Sequence, residues 1–197
     1  MNPKVYLAST SPFRKALMEE AGIHFEAIAP ECDEKSIIGF APRELARRRA
    51  ELKGFDVASR LKVKGLVIGS DQVLSLEEAC FDKAQSIEEA RMRLRQFSGR
   101  VHTLHSAVAV FEVDPSKKMI SLVVSDVVDV GMKMRTLTDE TIDQYLKTDE
   151  WRGVVGCYRI EGEGRRLFDQ VDGDRSEIIG LPMAGLKKTI EAYLKTY

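Results

Sequence analysis

Val5-Tyr6-Leu7-Ala8-Ser9-Thr10-Ser11-Pro12-Phe13-Arg14 decides the fold class. Val5 to Ala8 is a short apolar run, as expected of a buried strand. Ser11 is suited to cap a helix, and Pro12 fits the first helical position, where no N–H is needed. Leu17 and Ala21 give that helix one apolar face, and Gly22 is a natural stop. Phe25 to Ala29 then reads as a second strand ending at Pro30. A chain that opens strand, turn, helix, strand is expected to build an α/β sheet.

Outward from this start the pattern continues. Pro42 to about Ala58 is predicted helical, with Leu45, Ala46, Ala50 and Leu52 available for packing. Leu66-Val67-Ile68 is an all-apolar strand running into Gly69-Ser70-Asp71-Gln72. Ser86-Ile87-Glu88-Glu89 is a capping box that opens another helix. Val101 to Val113 and Met119 to Met134 are long β-rich runs joined at Asp114-Pro115-Ser116, which predicts a hairpin. Thr138 caps a short helix through Leu146, and Pro182 starts a terminal helix with Leu186, Ile190 and Leu194 on one side. No linker divides the chain, so residues 1–197 are expected to form one domain of two lobes, with a long, mixed, twisted sheet bent around a cleft.

Bulk properties exclude several classes. Thirty basic and thirty-one acidic residues leave a net charge of -1, which argues against wholesale binding to nucleic acid or membrane. Arg47-Arg48-Arg49 is flanked by Glu44 and Glu51 and reads as mostly a solvated helix face. Cys32, Cys80 and Cys157 are widely spaced and bear no zinc-ligand spacing to His24, His102 or His105. A reduced cytoplasmic protein is the simplest expectation. Met1-Asn2-Pro3-Lys4 begins no signal-peptide core, and no apolar stretch approaches the ~20 residues of a membrane span.

Five places carry side chains suited to chemistry. Ser9-Thr10-Ser11-Pro12-Phe13-Arg14-Lys15 joins a strand to a helix N-terminus, where backbone N–H groups, the Ser9 hydroxyl and the Arg14 fork suit phosphate; a plainly capped helix is the alternative. Asp33-Glu34 supplies oxygen ligands suited to Mg2+, or forms a solvated acidic turn. Asp71 stands directly after an apolar strand, at the carboxyl end where open α/β sheets bind ligands; a metal, a lysine or a reacting water would explain it, and so would a structural partner. Glu161-Gly162-Glu163-Gly164 brings two carboxylates to a turn that permits close backbone approach, a weak signal alone. Lys83 is a phosphate partner or an ordinary surface lysine.

The order of these pieces resembles the Maf family of nucleoside triphosphate pyrophosphatases. The matching pieces are Leu7-Ala8-Ser9-Thr10-Ser11-Pro12 with Arg14; Asp33-Glu34; Leu45-Ala46 with Ala50; Val67-Ile68-Gly69-Ser70-Asp71-Gln72-Val73; Ser98-Gly99-Arg100 with His102; and Gly180-Leu181-Pro182. The resemblance implies an elongated mixed α/β sheet flanked by helices, two lobes around a central cleft, as in inosine triphosphatases. It implies a homodimer, a nucleoside triphosphate substrate in the cleft, and Mg2+ or Mn2+. It implies Asp71 as proton acceptor or metal ligand, Glu34 at the metal, Lys83 and Arg14 on the leaving pyrophosphate, and Ser9, Ser11, Arg14, Gln72 and Glu161 on the substrate. Phe13, Arg49, Asp82, Ala84 and Arg175 depart from the family pattern. Ser70-Asp71-Gln72 and Glu161 look more like members acting on 7-methyl-GTP than like those acting on dTTP and UTP. A rival reading is a non-catalytic nucleotide-binding regulator of cell division.

Overall fold

The computed structural model describes residues 4–196; Met1, Asn2 and Pro3, in the stretch where no signal-peptide core is expected, and Tyr197 lie outside it. The order strand, helix, strand is as expected. Strand β1 (Lys4–Ala8) turns into helix α1 (Pro12–Glu20), and strand β2 (Glu26–Ala27) runs parallel beside β1. The second strand is shorter than Phe25–Ala29, since only Glu26 and Ala27 pair with β1. Ser11 caps α1 by accepting the Arg14 N–H at 3.4 Å. Gly22, at φ 69°, ends it in the left-handed region that favours glycine. Leu17 and Met18 bury the inner face of α1, while Ala21 is only half-buried.

Helix α2 (Pro42–Arg60) crosses to strand β3 (Gly65–Leu76), which pairs parallel with β1 from Gly65 to Gly69. The expectation for β3 needs correction. The strand does not end at Ile68 but runs on through Gly69-Ser70-Asp71-Gln72 to Leu76. Strand β5 (Val101–Asp114) holds its other side without a break from Gly65 to Ser75, and that ladder carries the polar residues onward. Strand β4 (Ala79–Phe81) turns back against Leu74–Leu76. Since β5 occupies one edge of β3, β1 and β4 must share the other, leaving Ser70 to Val73 open between them.

Helix α3 (Ile87–Phe97) begins at Ser86, whose hydroxyl accepts the Glu89 N–H at 3.1 Å. Only half of the capping box forms, because the Glu89 carboxylate accepts from the Gln85 N–H instead. The long hairpin is present as β5 and β6 (Met119–Met134), joined by a 3-10 turn at Pro115–Lys117. Helix α4 (Asp139–Leu146) is capped by Thr138. Strand β7 (Phe168–Asp172), helix α5 (Arg175–Ile179) and helix α6 (Met183–Thr196) complete the chain. In α6 Leu186, Ile190 and Tyr193 are buried, whereas Leu194 faces outward. The sheet runs β2-β1-β3-β5-β6-β7, parallel at the first end and antiparallel from β3 onward.

Two apolar layers cover the first half of this sheet. One joins α2 to Val67, Ala107, Ala109 and Phe111; the other joins α1 and α6 to Leu7, Ile68 and Val110. A third core fills the second half, from Leu74 and Phe97 through Met132 to Trp151 and Phe168. The cleft lies between the second-half core and the open stretch of β3.

His102, part of the Ser98-Gly99-Arg100 motif, belongs to this third core rather than to the cleft. It stacks on Phe97 with ring centroids 4.4 Å apart, and its Nε2 lies 2.7 Å from the Tyr158 hydroxyl. Burial pushes its pKa down to about 3. The unfolded chain, with histidine near ~6.5, therefore takes up the proton first. Stability is complete above that value and falls as pH drops toward 3, by about 1.4 kcal/mol per unit. Urea unfolding should show this acid slope in the natural chain and a shallower one in His102→Gln; parallel slopes would place a charged His102 in the folded state.

Candidate active site

The open stretch of β3 organises the site. Ser70 to Val73 lack a strand neighbour on the cleft side, so their backbone is free to meet side chains. Arg14 reaches in from the first turn of α1 and donates from Nη1 to the Ser70 carbonyl at 3.1 Å. Burial lowers the Arg14 pKa, and the negative charges of Asp71 and Glu34 oppose that shift. Gly180 makes room for this: a Cβ there would lie 3.2 Å from Arg14 Nη2 and 3.2 Å from Gln72. The Gly180-Leu181-Pro182 motif is thus a packing surface for two cleft residues.

Asp71 projects from β3 into a cleft of about 830 Å³, in the size range of small-molecule sites. Its Oδ1 accepts from Lys53 Nζ at 2.6 Å. Lys53 also pairs with Glu34. The Asp71 and Lys53 side chains are 9% and 13% exposed, so this ion pair is largely withdrawn from water, whereas Glu34 at 44% is not. Asp71 Oδ2 is buried with no hydrogen-bond partner among the described residues. Burial pushes the Glu34 carboxyl up, but Lys53, Arg49 and Arg14 outweigh it and leave the pKa below its usual range.

Lys53 is the functional residue that motif reading missed. It reaches Asp71 because α2 lies unusually close to β3: a Cβ on Gly69 would sit 2.2 Å from the Ala50 carbonyl oxygen and 2.6 Å from the Gly54 nitrogen. Arg49, one turn earlier on α2, also lines the cleft, and its Nε is buried without a partner among the described residues. The arginine run is therefore only partly a solvated face. Arg47 and Arg48 pair with Glu44 and Glu51 as expected, while Arg49 turns inward. The signal available in sequence was the i, i+4 spacing of Arg49 and Lys53 around the buried Ala50.

The other expected residues divide. Ser11, Arg14, Glu34, Asp71, Gln72, Lys83 and Glu161 all line the cleft; Ser9 does not. The Ser9 hydroxyl is buried and accepts the Ser11 N–H at 3.2 Å, shaping the turn rather than facing a ligand. Asp33 caps the 3-10 turn Glu34–Ser36 by accepting the Lys35 N–H, which leaves Glu34 as the cleft carboxylate. Gln72 donates its amide to Ser106 at 2.9 Å and to the Ile178 carbonyl at 2.8 Å, so it ties α5 to β5. Its donors are already committed to the protein.

Lys83 is exposed at the rim, but its backbone is held. Arg93 donates to the carbonyls of Asp82 and Val155, and Gln85 donates to the Lys83 carbonyl. Of the two carboxylates in Glu161-Gly162-Glu163-Gly164, only Glu161 lines the cleft; Glu163 pairs with Arg166. The glycines admit Glu150, whose carboxylate accepts the Glu163 and Gly164 N–H groups at 3.0 Å. Arg175 pairs with Glu20 across 2.5 Å and fastens α5 to α1.

Two other chemistries are disfavoured here. Ser75, His105 and Asp129 are linked at 2.9 and 2.7 Å in the order of a nucleophilic triad. Ser75 is 3% exposed on a paired strand and does not line the cleft, so the linkage joins β3, β5 and β6 instead. Burial raises the pKa of all three cysteines, which keeps them as poor thiol nucleophiles.

The family model described as Maf-like protein matches residues 4–193. A 7-methyl-GTP pyrophosphatase of Rhizobium meliloti is 40% identical over 194 residues, covering 94% of each chain. A nucleoside triphosphate pyrophosphatase of Caulobacter vibrioides is 39% identical over 193 residues, with 92% of each covered. A dTTP/UTP pyrophosphatase of Clostridioides difficile is 35% identical over 189 residues, covering 96% of this chain and 94% of the other.

Proposed function

Because this chain belongs to the Maf-like protein family, we propose that it hydrolyses a base-modified purine nucleoside triphosphate, with 7-methyl-GTP as the type substrate, to the monophosphate and pyrophosphate. The observation that carries the reading is the buried Asp71–Lys53 pair beside Glu34, facing Arg14 in the open stretch of β3. Water attacks the α-phosphorus, the bond to the bridging oxygen breaks, and pyrophosphate leaves. The unclaimed Oδ2 of Asp71 either takes the water's proton or, with Glu34, holds a divalent cation; the two are alternatives for one oxygen. Arg14, Arg49 and Lys83 bring cations to the phosphates, and positioning with charge stabilisation dominates this class of reaction.

The site suits a divalent cation. An unclaimed buried carboxylate oxygen on Asp71 next to Glu34 gives two oxygen ligands, enough for Mg2+ when phosphates and water complete its shell. Glu34 and Asp71 would hold Mg2+ or Mn2+, which when bound neutralises phosphate oxygens. Among the described residues no set of three metal-binding side chains gathers.

The base preference is supported by Phe13 and Glu161. Phe13 presents its ring to a planar cation, the Arg159 guanidinium, 5.1 Å from the centroid. A 7-methylguanine ring is also a planar cation. Glu161 lines the same cleft and offers a carboxylate to a positively charged or N–H-rich base edge. Glu161→Gln should lower kcat/KM for 7-methyl-GTP by roughly a few-fold and that for dTTP or UTP less, since Glu161 is exposed and a charged contact there is worth about 1 kcal/mol or less. A uniform fall would move Glu161 to the catalytic shell. Pyrophosphate release from a panel of methylated and ordinary triphosphates tests the whole reading. Release from none of them would favour the non-catalytic regulator.

A further inference from the structure

Arg159 is not used by the reaction just described, yet it occupies the cleft. It follows Cys157-Tyr158 in the second lobe and faces Phe13, the second residue of α1 in the first. Its Nε is buried with no hydrogen-bond partner among the described residues. No carboxylate among them lies within ion-pair distance of it either; the side chain rests on the ring of Phe13.

This is not a loose surface arginine. The Gly162 N–H donates to the Arg159 carbonyl at 3.3 Å. Gly164 packs so tightly on the same peptide that a Cβ would lie 2.5 Å from the carbonyl oxygen. The backbone is pinned, and the side chain spans the cleft from a fixed base. A buried guanidinium N–H without an acceptor is costly, and a phosphate oxygen is the acceptor that a triphosphate would bring.

We propose that Arg159 is a substrate-released latch that shields the Phe13 ring in the free protein and pairs with phosphate in the complex. In the free protein its guanidinium covers the Phe13 ring. When substrate enters, it leaves the ring, pairs with phosphate oxygens, and yields the ring face to the base. A cationic base restores the contact that the arginine gave up. An uncharged base returns only stacking, so the ring of Phe13, once vacated, favours a cationic base. This inference rests on the triphosphate reading above, and its test is separable from it.

The test uses fragments. Calorimetry with inorganic tripolyphosphate and with 7-methylguanosine is compared for the natural chain, Arg159→Ala and Arg159→Lys, each checked for an unchanged melting temperature. Arg159→Ala should bind tripolyphosphate ~10- to 100-fold more weakly, the worth of a charge-assisted contact. It should bind 7-methylguanosine at least as tightly as the natural chain, because nothing has to leave the ring. Arg159→Lys should recover most of the tripolyphosphate affinity. In turnover, Arg159→Ala should raise KM for 7-methyl-GTP and GTP by similar factors with kcat little changed, because the cost of lifting the arginine off the ring and the phosphate contact it gains are common to both bases. Parallel weakening of both fragments, or no change in either, would overturn the latch. A natural chain that hydrolyses no triphosphate would instead refute the pyrophosphatase reading, and the fragment binding would still decide the role of Arg159.

Discussion

Asp71→Asn should reduce kcat for the triphosphate substrate by at least ~100-fold, the lower range of what general acid–base groups contribute. Asparagine has nearly the same shape, and its carbonyl can still accept from Lys53, which lies 2.6 Å from Oδ1. What it cannot do is take a proton at neutral pH. The loss should therefore appear in kcat with the fold retained and with substrate affinity changed only a few-fold, because Arg14, Arg49 and Lys83 still line the cleft. Steady-state turnover and a melting curve on the same preparation check it. Turnover within a few-fold of the natural chain would remove Asp71 from the chemistry and leave it a structural partner of Lys53.

How much of this site was visible in the residues alone depended on the range of the interactions that built it. The β1–α1–β2 start was legible because capping by Ser11, Pro12 at the first turn and the stop at Gly22 are all local. Asp71 is legible as a cleft carboxylate because a polar group directly after an apolar run is conspicuous, whereas Glu34 lies in a polar turn and is assigned only by the family resemblance. The end assigned to β3 was wrong for a non-local reason. Gly69-Ser70-Asp71-Gln72 has the composition of a turn, yet its ladder to Val108, Ala107 and Ser106 of β5 keeps it extended. The amide donors of Gln72 are held by Ser106 and Ile178, partners distant in sequence that no local pattern announces. Lys53 was hidden for the same reason. A lysine on a charged helix reads as solvated, and only the close approach of Gly54 and Gly69 turns it inward. Short strands such as β4 and β7 exist through packing rather than periodicity, whereas α5 carries a local signal in the Asp174–Glu177 capping box and the left-handed Gly180.

Lys53→Met should cost both stability and activity, and the two losses should respond differently to a divalent cation. Methionine keeps the length of the side chain and removes the charge. Asp71 then remains largely buried, its side chain 9% exposed, without the cation that balances it. Removing one partner of a buried pair costs ~3–5 kcal/mol, because the other charge is left behind. Glu34 is partly exposed and free to turn toward water, so the expected loss here is roughly 2–4 kcal/mol. Saturating Mg2+ should restore part of that stability, since a divalent ion held by Glu34 and Asp71 neutralises the same two carboxylates. The natural chain should gain less from Mg2+, because the ion must compete with the Lys53 ammonium. Activity should stay low even with Mg2+ present, because the ammonium that fixes Asp71 Oδ1 is gone. Urea unfolding with and without Mg2+, in both proteins, measures the difference. A variant as stable as the natural chain in the absence of metal would mean that Asp71 needs no counter-charge. A cation effect equal in both proteins would place the metal away from Glu34 and Asp71.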